Sequence, residues 1–219
     1  MSDFQPTKSM INHGTTTVGI VYNDGVVLAA DTRAIAGGYY IAHKAVQKIQ
    51  KISNHLGATI AGGVADAQTV VDTLRYYANI FKLEKEKPIP VKALAQLASN
   101  IFFSSRFYPY YADVIVGGVD DEGGAIYNID LFGSLTKDKF HSTGSGSPVA
   151  FGILESEYKD NLTVDEATSI AAKAVNAAIL RNAGTGDGFN IVVITKDKYQ
   201  EFSLEEKDAA LKNIRGIPS

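Results

Sequence analysis

Apolar and β-branched residues crowd two runs near the start of the chain, TTTVGIVYN (15–23) and GVVLAADTR (25–33), which meet at Asp24-Gly25. Asp-Gly between two such runs is a strong hairpin signal, because the tight turn needs residues that tolerate positive φ. An antiparallel pair is predicted. HLGATIAGG (55–63) reads as a further strand, and then the period changes: Val70, Val71, Leu74, Tyr77, Ile80 and Phe81 recur at helical spacing and end in the charged KLEKEKP. A second helix is predicted behind Pro90, with Leu94, Leu97, Ile101 and Phe102 on its apolar side. ADVIVGGVD, GAIYNIDLFG and a weaker run near Phe140 restore the strand pattern, with VDDEGG as a hairpin turn.

Further along, SGSPVAFGILESEY suggests a helix with Ser147 as N-cap and Pro148 at the first helical position. In TVDEATSIAAKAVNAAILRNAG, Thr163 and Glu166 have capping-box spacing, and Gly184 reads as a stop. FNIVVITKD is a buried-looking strand before a polar tail. Paired strands precede paired helices rather than alternating singly with them. That order predicts an α+β fold in which two antiparallel sheets pack face to face, with helices outside each.

Composition narrows the setting. A chain of 219 residues, 45% hydrophobic and 21% charged, suits one large domain. There is no cysteine, which removes disulfides and thiol chemistry and makes a reducing, cytoplasmic compartment the expectation. A net charge of −3 provides no general basic surface for nucleic acid. No apolar run reaches the roughly 18–20 residues of a membrane span, so no membrane association is expected. His13, His43, His55 and His141 are scattered, so no metal site is expected.

The candidate chemistry lies in INHGTTTVGI. A threonine hydroxyl is a weak nucleophile unless a base takes its proton, and the residue's own α-amine can do so only at a chain terminus. That amine has a reference pKa near 8, so it is partly neutral near neutral pH, whereas an amide nitrogen is not basic. A leader cut between Gly14 and Thr15 would create such a terminus. Alone, the three threonines read equally as ordinary strand sequence.

The motifs GVVLAADTRA, AHKAVQKI, TIAGGVADAQ and STGSGSP stand in an order and spacing that resembles the β subunits of 20S proteasomes, most closely archaeal ones, from Thr15 to about residue 200. The resemblance implies the four-layer αββα sandwich of the N-terminal nucleophile hydrolases. It implies a propeptide of residues 1–14, a mature domain of 15–219, and a threonine endopeptidase with Thr15 as nucleophile. Asp31 and Lys48 would form an ion pair beside it, Gly62 would face the oxyanion, and Ser145 would hydrogen-bond near the amine. Ala34, Val46, Ile60, Val64 and Gln68 would line a mainly apolar specificity pocket, giving cleavage after hydrophobic residues. No cofactor is implied. The implied partners are α subunits, other β subunits in seven-membered rings, an ATPase ring and unfolded protein substrates.

Two departures from the family pattern qualify this. One extra residue between Asp31 and Lys48, placed at Gly37-Gly38, leaves Lys44 as an alternative lysine. Asn182 and Thr185 stand where many active members have aspartate and serine, so the negative charge that tunes the amine is lost while hydrogen bonding is kept. The expectation is an active but weakened or partner-dependent subunit, with an inactive structural subunit as the alternative. The aromatic stretch NIFFSSRFYPYY suits either an interface or the core.

Overall fold

The computed structural model describes residues 14–37 and 40–212, the side chains of Val64, Leu204 and Lys212 excepted. The implied propeptide other than Gly14, together with His13 and Gly38, lies outside them. The chain opens with β1 (Thr17–Tyr22) and β2 (Gly25–Asp31), a hairpin in register from Tyr22 against Gly25 to Thr17 against Ala30. Then come β3 (Ala34–Ala36), β4 (Tyr40–His43), β5 (Ile49–Ser53) and β6 (Leu56–Gly62). Helices α1 (Val64–Lys85) and α2 (Val91–Ser104) follow. Strands β7 (Ala112–Asp120), β8 (Gly123–Ile129), β9 (Leu135–Asp138) and β10 (Phe140–Thr143) precede α3 (Ser147–Glu157) and α4 (Val164–Arg181). The described chain closes with β11 (Phe189–Ile194), β12 (Tyr199–Glu201) and α5 (Leu204–Lys212).

Two five-stranded antiparallel sheets result, ordered β10-β1-β2-β11-β12 and β5-β6-β7-β8-β9, while β3 and β4 form a separate two-stranded ribbon. Three apolar layers hold them in a four-layer αββα sandwich. Val70, Leu74, Leu94 and Phe102 of α1 and α2 pack on Leu56, Val114, Val116 and Ile129. Leu154, Ile170 and Val175 of α3 and α4 pack on Val18, Ile20, Val27 and Ile191. Between the sheets lie Val26, Leu28, Ile115, Ile126, Val192 and Ile194. Strand β2 is therefore buried on both faces, with Val27 and Ala29 toward the helices and Val26, Leu28 and Ala30 toward the other sheet. This is why GVVLAA is continuously apolar instead of alternating.

Three local expectations need correction. Helix α3 takes Gly146 as its N-cap, and Ser147 is already helical with no side-chain cap bond, so Pro148 follows at the second position. Helix α4 stops at Arg181 rather than running to Gly184, because Asn182 has turned to an extended conformation at φ −107°, ψ 119°. The polar tail forms α5, and β12 precedes it. The capping box of α4 is present, with the Thr163 hydroxyl accepting from the Glu166 backbone N–H and the Glu166 carboxylate accepting from the Thr163 N–H.

Candidate active site

Residue Thr15 lies immediately before β1 at one end of the sandwich and is 4% exposed. Its Oγ1 donates to the Gly14 carbonyl oxygen at 2.6 Å, and its backbone N–H points to Ser145 Oγ at 3.4 Å. Lys48 Nζ reaches the same Gly14 oxygen at 3.4 Å and donates to Asp31 Oδ1 at 2.7 Å. Lys44, the alternative, is exposed and contributes only its backbone carbonyl to Thr32. The β2–β11 register explains how Asp31 arrives here, since it ends β2 opposite Phe189 and its carboxylate meets the Thr16 N–H and Lys48.

The Asp31 carboxylate is fully buried, and four donors surround it. Thr16 N–H (2.8 Å) and Lys48 meet Oδ1, while Arg33 N–H (3.1 Å) and Gly186 N–H (3.0 Å) meet Oδ2. A buried carboxylate stays charged only when its oxygens are so satisfied. Burial lowers the pKa of Lys48 below the ordinary lysine value, and the Coulomb attraction and hydrogen bond of Asp31 oppose that shift. The result is a desolvated cation aimed at the Gly14–Thr15 bond.

On the other side of Thr15, Asn182 organises a hydroxyl network. Its Oδ1 accepts from Ser145 Oγ and from Thr185 Oγ1, each at 2.9 Å, and its Nδ2 donates to the Ser145 carbonyl at 3.1 Å. Thr185 Oγ1 in turn meets Thr16 Oγ1 at 2.7 Å. Because Ser145 spends its own proton on Asn182, its oxygen can only accept from the Thr15 nitrogen. Asn182 thus accepts from two hydroxyls as a carboxylate would, but without a charge.

A cavity of about 600 Å³ opens beside Thr15, and Ala34, Val46, Ile60, Gln68 and Lys48 line it. The side chain of Val64 lies outside the described residues. Gly62 borders this cavity and a second one. It sits at φ +127°, and a Cβ there would run into the Tyr111 carbonyl oxygen, so only glycine fits. Among the described residues, no group of three or more His, Cys, Asp or Glu is placed to hold a metal ion, and no helix is long and apolar enough to cross a membrane.

Residues 11–194 match the proteasome subunit family. The chain is 56% identical to proteasome subunit beta 2 of Nitrosopumilus maritimus over 94% of its own length and 97% of that protein. It is 54% identical to proteasome subunit beta 2 of Cenarchaeum symbiosum over 93% and 97% of the two chains. The proteasome subunit beta of Methanothermobacter thermautotrophicus matches at 46% identity over 92% and 96%. The chain belongs to the proteasome β-subunit family. That family is one of peptidases, which hydrolyse peptide bonds.

Within this proteasome fold, sequence reasoning missed the hydroxyl groups packed beneath Thr15. Thr17 Oγ1 meets Thr143 Oγ1 at 2.7 Å and accepts from Thr59 Oγ1 at 3.0 Å, tying β1 and β10 to β6 of the opposite sheet. Arg33 clamps the loop behind Asn182, donating to Asp187 (2.8 Å) and to the Ala183 carbonyl (3.0 Å). The signal available was the alternation of TTT itself. Thr16 donates its backbone N–H to Asp31 and its hydroxyl meets that of Thr185, whereas the Thr17 hydroxyl meets those of Thr143 and Thr59.

Proposed function

We propose that the chain is a catalytic threonine endopeptidase subunit whose nucleophile, Thr15, is freed by removal of residues 1–14. The observation that carries this reading is the convergence of the buried Asp31–Lys48 pair on the Gly14–Thr15 bond, with Ser145 held as an acceptor for the Thr15 nitrogen. Once that nitrogen is a free amine it takes the Oγ1 proton, and Oγ1 attacks the substrate carbonyl carbon. Lys48 favours the developing alkoxide electrostatically, and the Gly62 backbone N–H receives the oxyanion. The amine then passes its proton to the leaving nitrogen, which departs and leaves an ester on Oγ1. Water, deprotonated by the same amine, hydrolyses the ester and restores the hydroxyl. The mainly apolar wall of Ala34, Val46 and Ile60 suits a hydrophobic residue on the acyl side.

As a proteasome β subunit the chain assembles with α subunits into the 20S particle; we further propose that this particle receives unfolded proteins from an ATPase ring, in the cytoplasm. The absence of cysteine fits that reducing compartment. The test is peptide hydrolysis by particles co-assembled with an α subunit, using wild type and Thr15→Ala. Loss of hydrolysis in Thr15→Ala supports the reading. Equal rates would assign the activity elsewhere and leave this chain a structural subunit, the second reading that the uncharged Asn182 favours.

A further inference from the structure

A second cavity, about 390 Å³, lies on the far side of Gly62 from Lys48 and is bordered by Ser145, Thr143, His141, Asn128 and Asp113. The mechanism above uses none of the last three. The two cavities share Gly62, and on the endopeptidase reading they would divide a bound peptide at its scissile bond. The first, lined by Thr15, would then hold the acyl side, and the chain beyond the departing nitrogen would pass over Gly62 and Ser145 into the second.

This second cavity has an acidic character that the protein does not neutralise. Among the described residues, no ion pair involves Asp113. Its carboxyl titrates above the ordinary value because of burial and the nearby Asp130, opposed by a hydrogen bond from the Leu131 backbone. Asp130 is committed to its own turn, accepting from the Phe132 and Ser134 N–H groups at 2.9 Å each. His141 does not supply a counter-charge. Burial lowers its pKa, and its Nδ1 lies 3.0 Å from Asp138 instead. Asn128, on the same wall, has its Oδ1 buried and without a hydrogen-bond partner among the described residues.

We propose that this cavity is a leaving-group subsite selecting a basic residue, arginine above all, immediately after the scissile bond, with Asp113 as the recognising carboxylate. A guanidinium carries five donors in a planar fork, enough to pair with Asp113 and still satisfy a neighbouring acceptor such as Asn128 Oδ1. An acidic residue there meets the Asp113 carboxylate, and among the described residues no lysine or arginine lines the cavity to offset it. The inference rests on the endopeptidase reading.

The test uses the particle co-assembled with its α partner and internally quenched peptides that differ only in the residue after the scissile bond: Arg, citrulline, Leu or Glu. Mass spectrometry of the products fixes the bond cut. The expected result is a kcat/KM about tenfold higher for Arg than for Glu, with citrulline, which keeps the shape without the charge, falling toward Leu. Asp113→Asn brings Arg and Glu within about twofold, while hydrolysis of a peptidyl aminomethylcoumarin, whose leaving group is uncharged, changes by less than about twofold. Equal rates for Arg, citrulline and Glu in the wild type overturn the inference, as does an Arg preference that survives Asp113→Asn. The Arg-to-citrulline ratio decides the matter even if the variant does not assemble. Failure to cleave any substrate, the coumarin included, removes the endopeptidase reading and this inference with it.

Discussion

Lysine 48 carries the charge most exposed to pH. On the proposed mechanism the Thr15 amine must be neutral and Lys48 protonated, so kcat/KM should rise as the amine loses its proton near its reference pKa of about 8 and fall as Lys48 does. Burial places that fall below 10.5, the ordinary lysine value. For stability the sign runs the opposite way along the pH axis. A lysine whose folded pKa is lowered costs stability at all pH below that pKa, and the cost is relieved as pH rises from there to 10.5. Lys48→Arg should lower kcat by about 10²-fold or more through misplacement and abolish the alkaline decline, since arginine keeps its proton; kcat/KM profiles from pH 6 to 11 check this. An unchanged alkaline limb would assign it to another group. Gly62→Ala tests the opposite wall. Its Cβ meets the Tyr111 carbonyl at a positive φ, so the backbone must shift, and a displaced oxyanion donor costs about 10²–10³ in kcat. Stopped-time peptide hydrolysis reads the loss.

At the level of elements, α4 is both a wall of the core and the support that presents Asn182. Its first turn is fixed by the Thr163–Glu166 capping box, and Lys159 adds an ion pair at 2.7 Å. Thr163→Ala should lower stability by about 1 kcal/mol, a Tm drop of roughly 2–4 °C in a domain of this size, measured by calorimetry. Lys159 and the two Thr163 donors hold the Glu166 carboxyl down to about 2, so its contribution is present above the ordinary value of 4.5 and is lost as pH falls toward 2. The elements legible in the sequence were those long enough to show a period: the first hairpin, the four long helices and strands β6, β7, β8 and β11. Strands β3, β4, β5, β9 and β12 have three to five residues each, too few for alternation to stand out. Their pairing is decided by neighbours distant in sequence. The site divides similarly. Thr15, Asp31, Lys48 and Ser145, which the resemblance of their motifs to the family singled out, do come together, whereas Thr17, Thr59 and Thr143 looked like ordinary β-formers until register brought their hydroxyls together. Asp113 and Asn128 were invisible for the same reason, sitting on adjacent strands at the mouth between the sheets.

For the whole molecule, the site exists only when the sandwich is closed. Thr15 precedes β1, Asp31 ends β2, Lys48 precedes β5, Gly62 ends β6, Ser145 follows β10 and Asn182 follows α4, so both sheets and a helix end must dock before the constellation forms. If the chain cuts its own leader, cutting must therefore follow folding. The packing around Gly14 makes that dependence testable. A Cβ on Gly14 would overlap the Gly184 backbone, and a Cβ on Gly184 would approach the Gly14 Cα, so the residue before the proposed cleavage point passes through a gap that only two facing glycines leave. That gap holds the Gly14 carbonyl in reach of both Lys48 and the Thr15 hydroxyl. Gly14→Ala should push the carbonyl out of this position and slow maturation without emptying the core, because Gly14 contributes nothing to the three apolar layers. Intact mass of the chain from assembled particles is the measurement. Wild type should show the mass of residues 15–219, Thr15→Ala the full-length mass, and Gly14→Ala a mixture in which the full-length species persists for longer. A wild-type chain that keeps its full-length mass in assembled particles would have no free threonine amine, and the buried Asp31–Lys48 pair would then be a structural tie between strands. Normal processing of Gly14→Ala would show instead that the loop around Gly184 yields, and that the glycine contact does not hold the scissile bond.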